Sequence, residues 1–146
     1  MLYNLNIDKK ERKKAFDICK KCLKPFFISL KVSAITANGR EKEVVFQRAL
    51  VVFILRKEKY KFTQIAGFLN KHHTTILHLF YQYPKYYGTT SSGKLRKEFR
   101  QIINKLNKLF FEVNMKKRLK NYNFEIRQLK KKIAFYTREK QIIKNN

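Results

Sequence analysis

Apolar positions in the first half of the chain recur at helical steps, and turn residues cut the pattern into four pieces. Residues 8–23 open on Asp8, a good N-cap, and bring Phe16, Cys19 and Leu23 to one side; Pro25 then ends the helix. An apolar segment, 26–35, and a polar loop, Thr36-Ala37-Asn38-Gly39-Arg40, lead to a second helix over 44–57. Its centre is apolar on every side, the pattern of a helix buried in the middle of a domain. Two short helices follow. Residues 62–69 bury Ile65, Phe68 and Leu69, and residues 73–83 bury Ile76, Leu77 and Phe80.

Only Asn70-Lys71-His72 separates the last two helices, which is the spacing of a helix-turn-helix. Pro84, Gly88 and Gly93 punctuate the polar stretch that follows, so residues 84–93 read as a linker. Beyond it there is neither Pro nor Gly for 53 residues, and that extension should be helical. Over 95–113 the set Phe99, Ile102, Ile103, Leu106, Leu109, Phe110 and Val113 makes a stripe wide enough to pack on a globular surface, with the first helix as the expected partner. Past Met115 the stripe narrows. Leu119, Tyr122, Ile126, Leu129, Ile133, Tyr136 and Ile143 alternate in steps of three and four, broken only by Lys140, and that is a coiled-coil register. The six-residue step from Val113 to Leu119 is a phase slip that would put a bend at 114–118. The expected architecture is all-α: a helix-turn-helix domain over 1–83, a linker over 84–93, and a basic helical extension over 94–146 with a coiled coil from 119.

Charge adds a partner to this picture. Lys and Arg number 35 against 10 Asp and Glu, a formal +25, and self-repulsion on that scale is relieved by an anionic polymer. Nucleic acid is the first expectation and an anionic membrane surface the second. The longest apolar run, 49–55, is seven residues, well short of the roughly 20 that span a bilayer, so no insertion into a membrane is expected. The first residues lack the basic flank and apolar core of a secretory signal, which points to a cytoplasmic, nucleoid-associated protein, and two cysteines suit a reducing compartment.

Enzymatic chemistry finds no footing in the sequence. Cys19-Lys20-Lys21-Cys22 has metal-like spacing but no second ligand pair, so no metal is expected and core packing is the simpler role. No Gly-rich phosphate loop or nucleophile elbow is present, and the acids form no pair beside a histidine; neither catalysis nor a nucleotide or other cofactor is expected.

The octapeptide Lys71-His72-His73-Thr74-Thr75-Ile76-Leu77-His78 carries the sharper signal. Its segment His73-Thr74-Thr75-Ile76-Leu77-His78, preceded by Ile65-Ala66, resembles the Asp-His-Thr-Thr-Val-x-His signature of the C-terminal DNA-binding domain of the bacterial replication initiator DnaA. Arg40-Glu41-Lys42-Glu43-Val44-Val45, followed by Arg48 and Ile54-Leu55-Arg56, resembles that family's basic loop and second helix, and the likeness covers roughly residues 5–83. It implies sequence-specific binding of double-stranded DNA in replication initiation or its regulation, here without an ATPase domain. It also implies roles for single residues: Arg48 in the minor groove, His73 and Thr74 on base edges in the major groove, and Lys71 as a basic contact at the turn. His72 stands where the family has an acid, so an acceptor for cytosine N4 is missing and the family's DNA site does not transfer unchanged.

The expected DNA-contacting set is Arg40, Lys42, Arg48, Lys71, His72, His73, Thr74, Thr75 and His78. Two members have structural alternatives: His78 as a packed core residue beside Ile76 and Leu77, and Arg48 as a salt-bridge partner of Glu43 or Glu58. The rival functions are binding of RNA or an anionic surface by charge alone, and a scaffold assembled through the tail. A second copy of the chain, joined through 119–143, is the protein partner the seam would take.

Overall fold

The computed structural model describes residues 7–85 and 93–145, which fold into six α-helices and no strand. They are α1 (Lys9–Leu23), α2 (Val32–Thr36), α3 (Lys42–Lys57), α4 (Phe62–Leu69), α5 (His73–Tyr81) and α6 (Gly93–Lys144), with 3-10 turns at Lys24–Phe26 and Tyr83–Lys85. The helices divide into two compact units, one ending at Leu106 and the other beginning at Asn107.

Local chemistry sets the first boundaries. Asp8 is extended and its carboxylate accepts from the Lys10 N–H at 2.9 Å, which satisfies one orphan donor and starts α1. Lys20 and Lys21 sit in the last turn, where the helix dipole favours cations. Pro25 converts the chain to a 3-10 turn that closes on Phe27 in the left-handed region. Ala15, Phe16, Cys19 and Leu23 form the buried stripe.

Helix α3 is the axis of the first unit. Phe46, Ala49, Leu50, Val51, Val52, Ile54 and Leu55 are all buried, on every side of the helix, and α1, α2, α4 and α5 pack around it. It begins at Lys42, two residues before the apolar pattern does, because the first turn of the helix is polar and solvent-facing. Helix α2 has no counterpart in the pattern of the sequence. Five residues give too little length for a periodic signal, and only Ile35 of α2 is buried. Across the unit, Arg12 Nε donates to the Phe68 carbonyl at 3.1 Å and the Tyr60 hydroxyl to Glu11 at 2.9 Å, so α1 is held to the segment that enters and forms α4.

The start of α6 belongs to this unit as well. Phe99 and Leu106 are buried, Phe99 meets Tyr83 edge-to-face at 5.0 Å, and Arg100 Nε donates to the Pro84 carbonyl at 2.7 Å. Phe99 and Ile103 also line a small apolar cavity of about 220 Å³ with Ala49 and Phe53 of α3 and Leu79 and Phe80 of α5. The stripe expected over 95–113 to pack on the first helix thus meets α3, α5 and the second 3-10 turn, and only as far as Leu106; Leu109 and Val113 are exposed. The compact unit accordingly runs past residue 83, and most of the expected linker, residues 86–92, lies outside the described residues.

The second unit is the remainder of α6. It is helical without interruption through residues 114–118, where the phase slip suggests a bend, and none of its described residues is buried.

Candidate nucleic-acid interface

Helix α4 stops because Asn70 takes the left-handed conformation (φ 54°), a state Asn tolerates better than most residues. The Lys71 N–H returns to the Ala66 carbonyl at 3.0 Å, closing the end of α4, and His72 is extended as the N-cap of α5. Ile76 and Leu79, three apart, are the buried residues of α5. The apolar spacing places Leu77 and Phe80 inside with Ile76; both are only half-buried, because the face that meets α3 and α4 is centred toward Leu79.

That rotation sets what the helix shows to solvent. His73, Thr74, Thr75 and His78 are all exposed, so His78 is not the packed residue that its apolar neighbours suggest. Thr74 and His78 are four apart and share a face with Thr75. Tyr81, three residues beyond His78, is half-exposed on that face and is absent from the set expected from sequence. Its signal is an i+3 spacing from His78, masked by two neighbouring aromatics.

His72 organises the tip. Its Nδ1 accepts from the Thr74 backbone N–H at 3.1 Å and lies 2.6 Å from the Thr74 hydroxyl oxygen, while its ring stacks at 4.5 Å on His73. With Nδ1 accepting from the Thr74 N–H, the short approach of the Thr74 hydroxyl fits a hydroxyl donating to the same nitrogen. Thr74 as a whole is exposed and carries both a hydroxyl and a methyl group.

The two basic residues expected to touch DNA from within the motif are placed differently. Arg48 is 5 % exposed on the buried helix α3. Its Nε donates to the Ile35 carbonyl at 2.7 Å, Nη1 to Gly39 at 2.6 Å, and Nη2 to Ala37 at 2.5 Å and Ala34 at 3.4 Å. These carbonyls are the open end of α2 and the loop after it, and a planar fork of five donors is suited to gather them. In this structure the guanidinium of Arg48 therefore bonds to backbone carbonyls and pairs with neither Glu43 nor Glu58. Burial pulls its pKa down from the usual arginine value.

Lys71 approaches the same loop from the other side. Its Nζ donates to Ala37 O and lies 3.5 Å from both Thr36 O and Asn38 Oδ1. Burial first, and the nearby Arg48 charge second, lower its pKa. The turn before α5 is thereby tied to the loop 36–38, which leads directly to exposed Arg40 and Lys42. Arg48 and Lys71 act as internal struts, whereas Arg40, Lys42, His73, Thr74, Thr75 and His78 face water.

Cys19 is buried and burial pushes its thiol up, which opposes the thiolate that metals and redox partners require. Among the described residues no group of His, Cys, Asp or Glu could hold a metal ion, and no helix is long and apolar enough to cross a membrane. Compared with known proteins, the chain matches no family model, no curated protein and no solved structure.

Proposed function

We propose that the first unit binds double-stranded DNA by sequence, with α4 and α5 as a helix-turn-helix and α5 as the reading helix. The observation that carries this is the exposed face of Thr74, Thr75 and His78, presented by a helix whose opposite face is anchored by buried Ile76 and Leu79. Side chains of these types offer little packing value and suit base edges: a threonine methyl matches thymine, and a hydroxyl oxygen accepts from adenine N6 or cytosine N4. Exposed Arg40 and Lys42 supply phosphate contacts beside the turn, and the helix N-terminus favours phosphate as well.

The motif's likeness to the DnaA C-terminal domain points the same way and suggests a role at a replication origin, in initiation or its regulation. Arg48 enters this reading as a positioning residue, since its donors hold the loop that presents Arg40. The charge-only alternative, binding of RNA or another polyanion, has support in the 17 Lys and Arg against 4 Glu after Gly93.

Selection of bound duplexes from random DNA, followed by affinity measurement, separates the two. On the selected site Thr74→Ala should cost about 1–3 kcal/mol, with little loss on random duplex. Equal losses on both, or no enriched sequence at all, would leave charge as the whole of the affinity.

A further inference from the structure

We propose that residues 115–143 of α6 pair with the same residues of a second copy of this chain, in parallel and in register, as a two-stranded coiled coil. The surface is an apolar seam whose described residues are all exposed. Leu119 is 55 % exposed, Leu129 57 % and Ile133 64 %, a degree of exposure that a lone helix does not sustain without cost in water.

Because the helix is unbroken through 114–118, the register extends further back than the narrow stripe. Met115 falls at d and Leu119 at a; Tyr122, Leu129, Tyr136 and Ile143 are at d, and Ile126, Ile133 and Lys140 at a. At the centre of the seam, Ile126 and Ile133 at a enclose Leu129 at d, the combination that favours two strands.

The flanking positions decide the number and direction of strands. The e positions hold Lys116, Asn123, Lys130, Thr137 and Lys144, and the g positions Arg118, Glu125, Lys132 and Glu139. None is apolar, so the seam is two positions wide and has no flanks with which to close a larger bundle. In a parallel pair g meets the following e of the partner: Glu125 faces Lys130, Glu139 faces Lys144, Arg118 faces uncharged Asn123, and Lys132 faces uncharged Thr137. In an antiparallel pair centred on the same seam g meets g, which sets Glu125 against Glu139 and Lys132 against its own copy. Attraction at two positions on each side against repulsion at Glu125, Lys132 and Glu139 selects the parallel arrangement.

The bulk charge opposes any pairing. From Asn107 onward there are 12 Lys and Arg against 3 Glu, so salt should strengthen the dimer by screening while it weakens DNA binding. On the DNA reading above, parallel pairing would join two reading units and raise their combined affinity for paired sites. That consequence falls if DNA binding fails, whereas the pairing itself is measured without DNA.

Sedimentation equilibrium of the intact chain should show a monomer–dimer equilibrium at about tens of micromolar, shifted toward dimer by raised salt. Ile126→Asp with Ile133→Asp should give a monomer throughout. Lys140→Ile should tighten the dimer by about tenfold or more, a gain that misfolding could not produce. Lys140→Cys should form an interchain disulfide under mild oxidation, since position a faces its own copy only when strands are parallel and in register. A monomeric intact chain, a trimer or tetramer, no gain from Lys140→Ile, or a dimer in which Lys140→Cys does not cross-link would each overturn the proposal.

Discussion

Helix α6 contains both extremes of this molecule. Leu106 is 2 % exposed in the first unit; every described residue after it is exposed or, for Phe110, half-exposed. Composition does not explain the contrast. From Asn107 onward 16 of 40 residues are apolar, a share close to the 44 % of the whole chain. What differs is the opposing surface: Phe99 and Ile103 find α3, α5 and Tyr83, whereas Leu119 and Ile126 have solvent. Burial belongs to a pair of surfaces, so an apolar stripe announces a need for a partner without naming it.

Two substitutions of one residue type in one helix give the largest expected difference. Leu106→Ala should destabilise the first unit by about 2–5 kcal/mol, as removal of a buried leucine side chain does. Leu129→Ala, in dilute protein, should leave the unfolding free energy of that unit, read from urea melts, within about 0.5 kcal/mol. Comparable losses would mean that the two units fold as one.

Arg48 offers the next test. Arg48→Lys keeps the charge but loses the planar fork, leaving several of the carbonyls at 34–39 without donors, and should cost about 2–4 kcal/mol of stability. Arg127→Lys in the second unit should be silent by the same urea measurement. Were Arg48 instead a groove residue, as the family likeness implies, its change would lower DNA affinity and spare the melt.

A smaller effect concerns the N-cap of α5. His72→Ala removes the acceptor at the Thr74 N–H and should cost about 0.5–2 kcal/mol, while His72→Asp supplies another and should cost little. If both variants melt alike, His72 is not a cap. On DNA, His72→Asp should alter the preferred base, since a carboxylate accepts from cytosine N4.

The mildest test is alkaline pH. Burial first, then the hydrogen bond to Glu11 and the charges of Glu11 and Glu58, raise the Tyr60 hydroxyl from 10.0 to about 12. The folded chain keeps this proton after the unfolded chain has lost it, so the contribution is intact below pH 10 and declines between 10 and about 12. Urea melts at pH 9 and 11 should show the decline, and Tyr60→Phe should make it shallower.

Elements with strong local chemistry are legible in the sequence. Asp8 and Pro25 bound α1, the all-apolar centre of α3 reads as a buried helix, and the short spacing at Asn70-Lys71-His72 separates α4 from α5. Helix α2 is not legible, because a single turn with one buried residue carries no period. At the candidate site, the exposure of His73, Thr74 and Thr75 agrees with polar tips at a helix start, but His78 and Tyr81 depend on how far α5 is rotated against α3. Leu77 and Leu79 lie on opposite sides of Ile76, and with apolar residues on both sides periodicity over nine residues does not decide which of the two faces inward.

By itself the sequence determined the helical class, most helix boundaries, the excess of positive charge and the register of the seam, since each depends on residues near one another in the chain. Tertiary structure alone decided that Arg48 and Lys71 converge on residues 34–39, that α6 begins inside the first unit, and which face of α5 is open. Lys71 reaches Ala37 across 34 residues and Arg48 reaches Ala34 across 14. Contacts at such separations follow from how helices pack, and local propensity holds no record of them.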